Sequence, residues 1–183
     1  ILMSVYDMVV EVKNEDGTVS FALNTPTVPE GKTPIILSFA EANYYSDTDY
    51  GAYSDKMVLA DDGSVQNEYV DEQGNTLVGA YDVVPVVDEF VEEHPDFSLR
   101  GAKGIISLTG YEGVFGYDLQ TESDEIKAIA DKLTEEGWLI ASNGYSNAML
   151  ESEMDTNDLE EDLDNWKTQV ASLVGDTDLM FYP

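Results

Sequence analysis

The chain has no cysteine, one histidine (His94) and one arginine (Arg100) in 183 residues. Each scarcity removes a class of chemistry. Without cysteine there are no disulfides, no thiol nucleophile and no zinc–thiolate centre. A single histidine excludes a multi-histidine metal site and leaves little room for imidazole catalysis. A single arginine leaves almost no bidentate clamp for phosphate. Positive charge is scarce altogether: 8 Lys and Arg stand against 38 Asp and Glu, a formal net charge of −30. Such a surface repels nucleic-acid backbones and anionic lipid headgroups. No apolar run approaches the roughly 18 residues of a spanning helix, so no membrane insertion is expected. The chain opens at Ile1 with no initiator methionine or signal peptide, and reads as a mature or excised piece. An acid-rich, lysine-poor, cysteine-free composition suits a secreted or cell-surface protein.

What is present suffices for a folded domain. Apolar residues make up 43% of the chain, with 11 Tyr, 6 Phe and 2 Trp, which separates it from disordered acidic sequences. Residues 1–33 read as a β-hairpin extension, with β-prone runs at Met8 to Val12 and Val19 to Leu23 around the turn Asn14-Glu15-Asp16-Gly17. Residues 34–183 read as the main domain. Pro34 to Phe39 is an apolar run expected to be a strand buried on both faces. A small β insertion spans Lys56 to Val78, with turns at Asp61-Asp62-Gly63 and Glu72-Gln73-Gly74-Asn75. Asp82 is expected to cap a helix to about Glu93, ended by Pro95. Gly104 to Thr109 is the next buried strand. Ser123 is expected to cap a helix to about Glu136, and Gly137 to stop it. Trp138 to Ser142 is a third strand. Leu159, Leu163, Trp166, Val170 and Leu173 mark one face of a helix from about Thr156 to Val174. Asp178 to Tyr182 is a fourth strand. Buried strands alternating with amphipathic helices predict an α/β fold with a parallel sheet.

In such folds, sites form at the carboxyl ends of the strands. Tyr44, Tyr45, Tyr50, Tyr53, Tyr111, Tyr117, Tyr145 and Tyr182 fall in those segments. Aromatic faces with polar tips suit sugar rings, so Tyr44, Tyr45, Tyr111, Tyr145 and Tyr182 are the candidate substrate contacts. The competing reading is that they only pack the loops.

Three of these strand ends resemble the motifs of the polysaccharide deacetylases. Leu37-Ser38-Phe39-Ala40-Glu41-Ala42-Asn43-Tyr44-Tyr45 resembles the first motif, usually Phe-Asp-Asp-Gly, which some secreted relatives continue as Val-Asn-Tyr-Tyr. Ala141-Ser142-Asn143-Gly144-Tyr145-Ser146-Asn147 resembles the second, His-(Ser/Thr)-x-x-His. Leu179-Met180-Phe181-Tyr182-Pro183 resembles the start of the third, Arg-x-Pro-Tyr. The resemblance covers roughly residues 27–183 and stops before the later motifs. It implies a partial or distorted (β/α) barrel and metal-assisted hydrolysis of an N- or O-acetyl group on a glycan.

The key positions depart from the family. The base position is Ala40, so no catalytic residue is intact. The metal-ligand positions are Glu41, Asn143 and Asn147, and the third-motif Arg position is Phe181. Asn is a poor zinc ligand, though acceptable to harder cations. Asp47 and Asp49 could add oxygens for calcium or magnesium, but a solvated acidic loop is the favoured reading. Losing one positioned acid or base costs about 10²–10⁴ in rate. The expectation is therefore a catalytically impaired, deacetylase-like glycan-binding domain with a Tyr-lined groove and no cofactor. Its expected partner is a polysaccharide or a peptidoglycan glycan. The alternatives are an active deacetylase with an oxygen-rich divalent metal site, and a structural domain that self-associates through an open sheet edge.

Overall fold

A computed structural model describes residues 1–45, 54–148 and 154–182. Three small sheets and three main helical segments make a mixed α/β fold. Strands β1 (Val9–Lys13) and β2 (Val19–Leu23) form the N-terminal hairpin. Strands β4 (Lys56–Leu59), β5 (Val65–Val70) and β6 (Thr76–Gly79) form an antiparallel meander in the order β4-β5-β6. Strands β3 (Ser38–Phe39), β7 (Ile105–Leu108) and β8 (Leu139–Ser142) form a parallel sheet in the order β3-β7-β8. Helix α1 (Val83–Glu93) precedes β7, and α2 (Ser123–Glu135) connects β7 to β8. Among the described residues the parallel strands do not close into a barrel.

The three antiparallel turns share one design. In each, a backbone bond spans the turn, a glycine with positive φ (Gly17, Gly63 or Gly74) follows, and an aspartate carboxylate accepts backbone N–H groups. Asp16 takes Thr18 N–H, Asp62 takes Ser64 N–H, and Asp71 takes those of Gln73 and Asn75. Glycine supplies the left-handed conformation and the carboxylate satisfies the freed donors.

The parallel sheet carries the core. Ile106 and Leu108 of β7 and Ile140 of β8 pack with Ile126, Ile129, Ala130 and Leu133 of α2, all buried. Trp138, 1% exposed, precedes β8, and its indole N–H donates to Asp88 Oδ1 at 3.0 Å. Lys103 Nζ meets the same oxygen at 2.7 Å, tying α1 to the start of β7. Asp82 caps α1 through a 2.7 Å bond from Val83 N–H. His94 ends α1 with its ring 4.5 Å from that of Phe90, a packing role. The cap of α2 differs from expectation: Ser123 is its first residue, and Glu122 precedes it without a side-chain cap bond.

Two strands are shorter than the sequence suggests. Only Ser38 and Phe39 of the Pro34–Phe39 run pair with β7, and Ile35 and Ile36 are exposed. The apolar run lies at the sheet's entry, where Ile35 meets Leu2 in a single bridge instead. The expected fourth strand reduces to one parallel bridge, Ser142 to Met180, held by Ser142 N–H to Leu179 O (2.9 Å) and Phe181 N–H to Ser142 O (2.8 Å).

The last helical segment is also not uniform. Helix α3 (Thr156–Asn165) passes into a π-helical turn (Trp166–Val170) and then α4 (Ala171–Val174). Asp162, Trp166, Val170 and Val174 are buried, while Leu163 is exposed. Three steps of four residues drift by about 120° on a regular α-helix. The wider π turn absorbs that drift and keeps these side chains on one face. The Thr168 hydroxyl, bonded to Asp164 O at 2.8 Å, occupies a carbonyl there.

Gly116 tests the packing between the sheets. Its φ is +88, and a Cβ there would collide with Lys56 and the Asp55 carbonyl, whereas one on Gly63 (φ +82) meets nothing within 4 Å. Gly116→Ala should lower unfolding free energy by about 2 kcal/mol or more, and Gly63→Ala by about 1 kcal/mol. Urea denaturation of both variants checks the difference; equal losses would contradict it.

Candidate functional site

The carboxyl ends of β3, β7, β8 and the Met180 bridge lie along one edge of the parallel sheet. The registers Ser38↔Ile105, Ser107↔Ala141 and Ser142↔Met180, carried on by alternation, put Ala40, Ser107, Thr109, Asn143 and Phe181 on one face. The opposite face carries Ile106, Leu108 and Ile140 into the core.

At the end of β3 the backbone bulges. Glu41 has φ 59, its N–H donates to Ser107 Oγ at 3.2 Å, and Ala42 N–H donates to Ser107 O at 3.1 Å. A left-handed non-glycine residue at a strand end re-aims the chain at a cost of order 1 kcal/mol. Both Ala40 and Glu41 are exposed.

Next comes Asn43, 1% exposed. Its Nδ2 donates to Thr109 O (2.9 Å) and Gly113 O (2.5 Å), and its Oδ1 accepts Thr109 N–H at 3.0 Å. Its backbone carbonyl accepts Gly116 N–H at 2.8 Å. One side chain thus fastens the segment after β3 to the loop after β7.

That joint positions an aromatic pair. Tyr45 and Tyr111 meet edge to face with ring centroids 5.6 Å apart. The Tyr45 hydroxyl is hydrogen-bonded to Thr109 Oγ1 at 2.9 Å, and Tyr111 N–H donates to the same oxygen at 3.3 Å. Tyr111 is 43% exposed and Tyr45 half-buried. Burial, then the nearby Glu41 and Glu112 carboxylates, push the Tyr45 phenol up to about 12, against the hydrogen bond from Thr109.

The other candidates separate. Tyr44 is packed against the core, with its hydroxyl accepting from Asn67 Nδ2 at 3.1 Å. Burial and the Asp82 carboxylate push its phenol far up. Tyr145 packs its ring against Gly110, and its hydroxyl donates to Gln169 Oε1 at 3.0 Å. The rings and hydroxyls of Tyr44 and Tyr145, both expected as substrate contacts, are engaged in these packing and hydrogen-bond contacts. Tyr117 is a core residue. Tyr182 is 67% exposed. Tyr50, Tyr53, Asp47 and Asp49 lie outside the described residues.

The segment after β8 is held from below by a buried acid of the last helical segment. Asp162 is 5% exposed, and its carboxylate accepts Tyr145 N–H (2.7 Å), Ser146 N–H (2.8 Å) and Ser146 Oγ–H (2.6 Å). Asp162 precedes Trp166 by four residues, about 40° away on a regular helix, so its position lies beside the buried face and only its charge suggests solvation. Asn143, 4% exposed, donates its backbone N–H to Leu108 O at 3.0 Å, and Asn147 is exposed with φ 58.

Glu41, Asn143 and Asn147, the expected metal-ligand positions, offer one carboxylate and two neutral amides. That set does not fit zinc, which takes imidazole, thiolate and carboxylate. Among the described residues no group of three or more His, Cys, Asp and Glu side chains forms a metal-ligand set. No described helix is long and apolar enough to cross a membrane. Comparison with family models, with curated proteins and with solved structures returned no match.

Asn43→Asp keeps the shape of the joint but turns its donor into an acceptor facing two carbonyls. It should lose about 3 kcal/mol of unfolding free energy; a loss below about 1 kcal/mol would remove Asn43 from this role. The phenols predict an alkaline effect. Tyr45 and Tyr117 ionise near 12 in the fold against an ordinary value of 10. The unfolded chain therefore releases protons first, and stability present below pH 10 is lost as pH rises towards 12. Unfolding midpoints across that window should fall, less steeply in Tyr45→Phe. A flat profile would contradict the assignment.

Proposed function

We propose that the chain is a divergent polysaccharide-deacetylase-like domain, a distorted partial (β/α) barrel that binds a glycan without hydrolysing it. The observation that carries this is the shared edge: Ala40, Asn143 and Phe181 stand at the ends of β3, β8 and the Met180 bridge on one face of a parallel sheet. Their order matches that of the motif positions they resemble. The side chains there lack a base and an imidazole, so no proton-transfer or metal-assisted step is assigned to them. The supported role is recognition. Tyr111 and Tyr45 offer an edge-to-face aromatic surface with a fixed phenolic hydroxyl, suited to stacking one sugar ring and hydrogen-bonding another. The partner is a neutral or acetylated polysaccharide, or a peptidoglycan glycan, met outside the cell or at its surface.

Both tryptophans are buried, so indole fluorescence is a poor reporter. Amide chemical shifts in a titration with chitooligosaccharides and with acetylated xylan should move at Tyr111 and Tyr45. Tyr111→Ala should weaken binding about tenfold, equivalent to about 1.4 kcal/mol. If neither glycan moves these signals, the recognition role fails. The motif correspondence has its own test. Combined Ala40→Asp, Glu41→Asp, Asn143→His and Asn147→His substitutions should create zinc binding, read by calorimetry. A folded variant that ignores zinc would overturn the correspondence.

A further inference from the structure

The Tyr45–Tyr111 pair stands in surroundings of one charge. The segments that follow the three parallel strands, residues 40–55, 109–122 and 143–155, contain acids and no Lys, Arg or His. Glu41 and Glu112 are exposed, and both disfavour the Tyr45 phenolate, so their charge reaches its hydroxyl. The nearest cations are engaged elsewhere. Lys103 precedes β7 and Lys132 precedes β8, at the entry end of the sheet, paired with Asp88 (2.7 Å) and Glu136 (3.1 Å). Lys56 packs against Gly116, but its ammonium lies over the Tyr117 ring, 5.1 Å from the centroid, with Glu68 at 3.6 Å.

A second observation is independent of charge. Asn143 N–H donates to Leu108 O, which continues the β7–β8 ladder and sets Asn143 beside Thr109 on the same face. Thr109 Oγ1 is the atom that holds the Tyr45 hydroxyl and Tyr111 N–H. Asn143 is 4% exposed, and its side-chain amide has no hydrogen-bond partner among the described residues. A nearly buried amide left in that state is costly unless solvent or a ligand meets it. An anionic glycan is repelled at this edge, and a neutral one gains nothing from its carboxylates. A glycan with protonated amines gains twice: its ammonium groups meet Glu41, Glu112 and the tyrosine faces, and its ring hydroxyls meet the Asn143 amide. We propose that this edge selects an amino-sugar polysaccharide some of whose amines are free and protonated, a partly deacetylated glycan. The proposal rests on the recognition role of Tyr45 and Tyr111 and narrows its ligand.

Chemical shifts of the full chain, titrated at low salt with a glucosamine tetramer and with an N-acetylglucosamine tetramer, test this. Both should move Tyr45, Tyr111 and the Asn143 side-chain amide, and the free-amine tetramer should bind about tenfold more tightly. The preference should vanish as pH rises through the titration of the sugar amine, where the carboxylates stay ionised. Glu41→Gln with Glu112→Gln should remove the preference, with an unchanged circular dichroism spectrum. Glu160→Gln with Glu161→Gln removes the same charge from exposed positions of the last helical segment and should keep it. That pair separates a built site from general attraction to a chain at −30. Equal or tighter binding of the acetylated tetramer overturns the proposal and leaves the recognition role standing. So does a preference that survives the Glu41 and Glu112 substitutions, or one that falls equally with those at Glu160 and Glu161. If neither tetramer moves these signals, the proposal falls together with the recognition role.

Discussion

The candidate site depends on one buried amide. Within Gly110–Tyr117, Glu112, Gly113, Phe115 and Gly116 all have positive φ, so the loop cannot form repeating backbone hydrogen bonds. Each non-glycine residue there costs of order 1 kcal/mol. Its buried polar groups need outside partners, since each unsatisfied one would cost about 1–3 kcal/mol. Asn43 supplies them: its side chain takes the Thr109 and Gly113 carbonyls and the Thr109 N–H, and its carbonyl takes Gly116 N–H. Burial of Phe115, 0% exposed, contributes about 2–3 kcal/mol and offsets part of the strain. The Tyr45–Tyr111 geometry follows from that joint.

A chain with 38 acids and 8 cationic side chains cannot pair most of its carboxylates with cations. It pairs many of them with backbone N–H dipoles and hydroxyls instead. Asp16, Asp62 and Asp71 close the antiparallel turns, Asp118 holds the approach to α2, Asp82 and Asp155 cap helices, and Asp162 holds the Tyr145–Ser146 backbone. Hydrogen bonds from Thr18, Ser64, Asn75 and Thr121 hold the carboxyls of Asp16, Asp62, Asp71 and Asp118 below the usual range. Their local contribution is present above the ordinary carboxyl value and is lost as pH falls through the lowered one.

What could be read in the sequence was what short-range chemistry decides. The Asp-Gly turns, the Asp82 cap, α2 with its Ile126–Leu133 face, and strands β7 and β8 follow from turn residues and periodicity, and appear as expected. What escaped depended on distant packing. Pro34 to Leu37 is apolar enough for a buried strand, yet the partner strand begins only opposite Ser38. Asp162 is charged and looks solvated, yet the backbone N–H groups of Tyr145 and Ser146, far along the chain from it, give its buried carboxylate partners. Tyr44 adjoins Tyr45 and Tyr145 follows the end of β8, but neighbours far along the chain, Asn67 and Gln169, decide where their hydroxyls bond.

The same contrast bears on what the site can do. Its supports are intact: the Glu41 bulge is tied to Ser107, the Asn43 joint is satisfied, and Asp162 holds the backbone after β8. The side chains at these strand ends are a methyl at Ala40, a carboxylate at Glu41 and neutral amides at Asn143 and Asn147. Hydrolytic catalysis needs a group that gains or loses a proton near neutral pH, or a metal that replaces it. Recognition needs only fixed surfaces and satisfied polar groups, and the Tyr45–Tyr111 pair on its Thr109 hydroxyl has both.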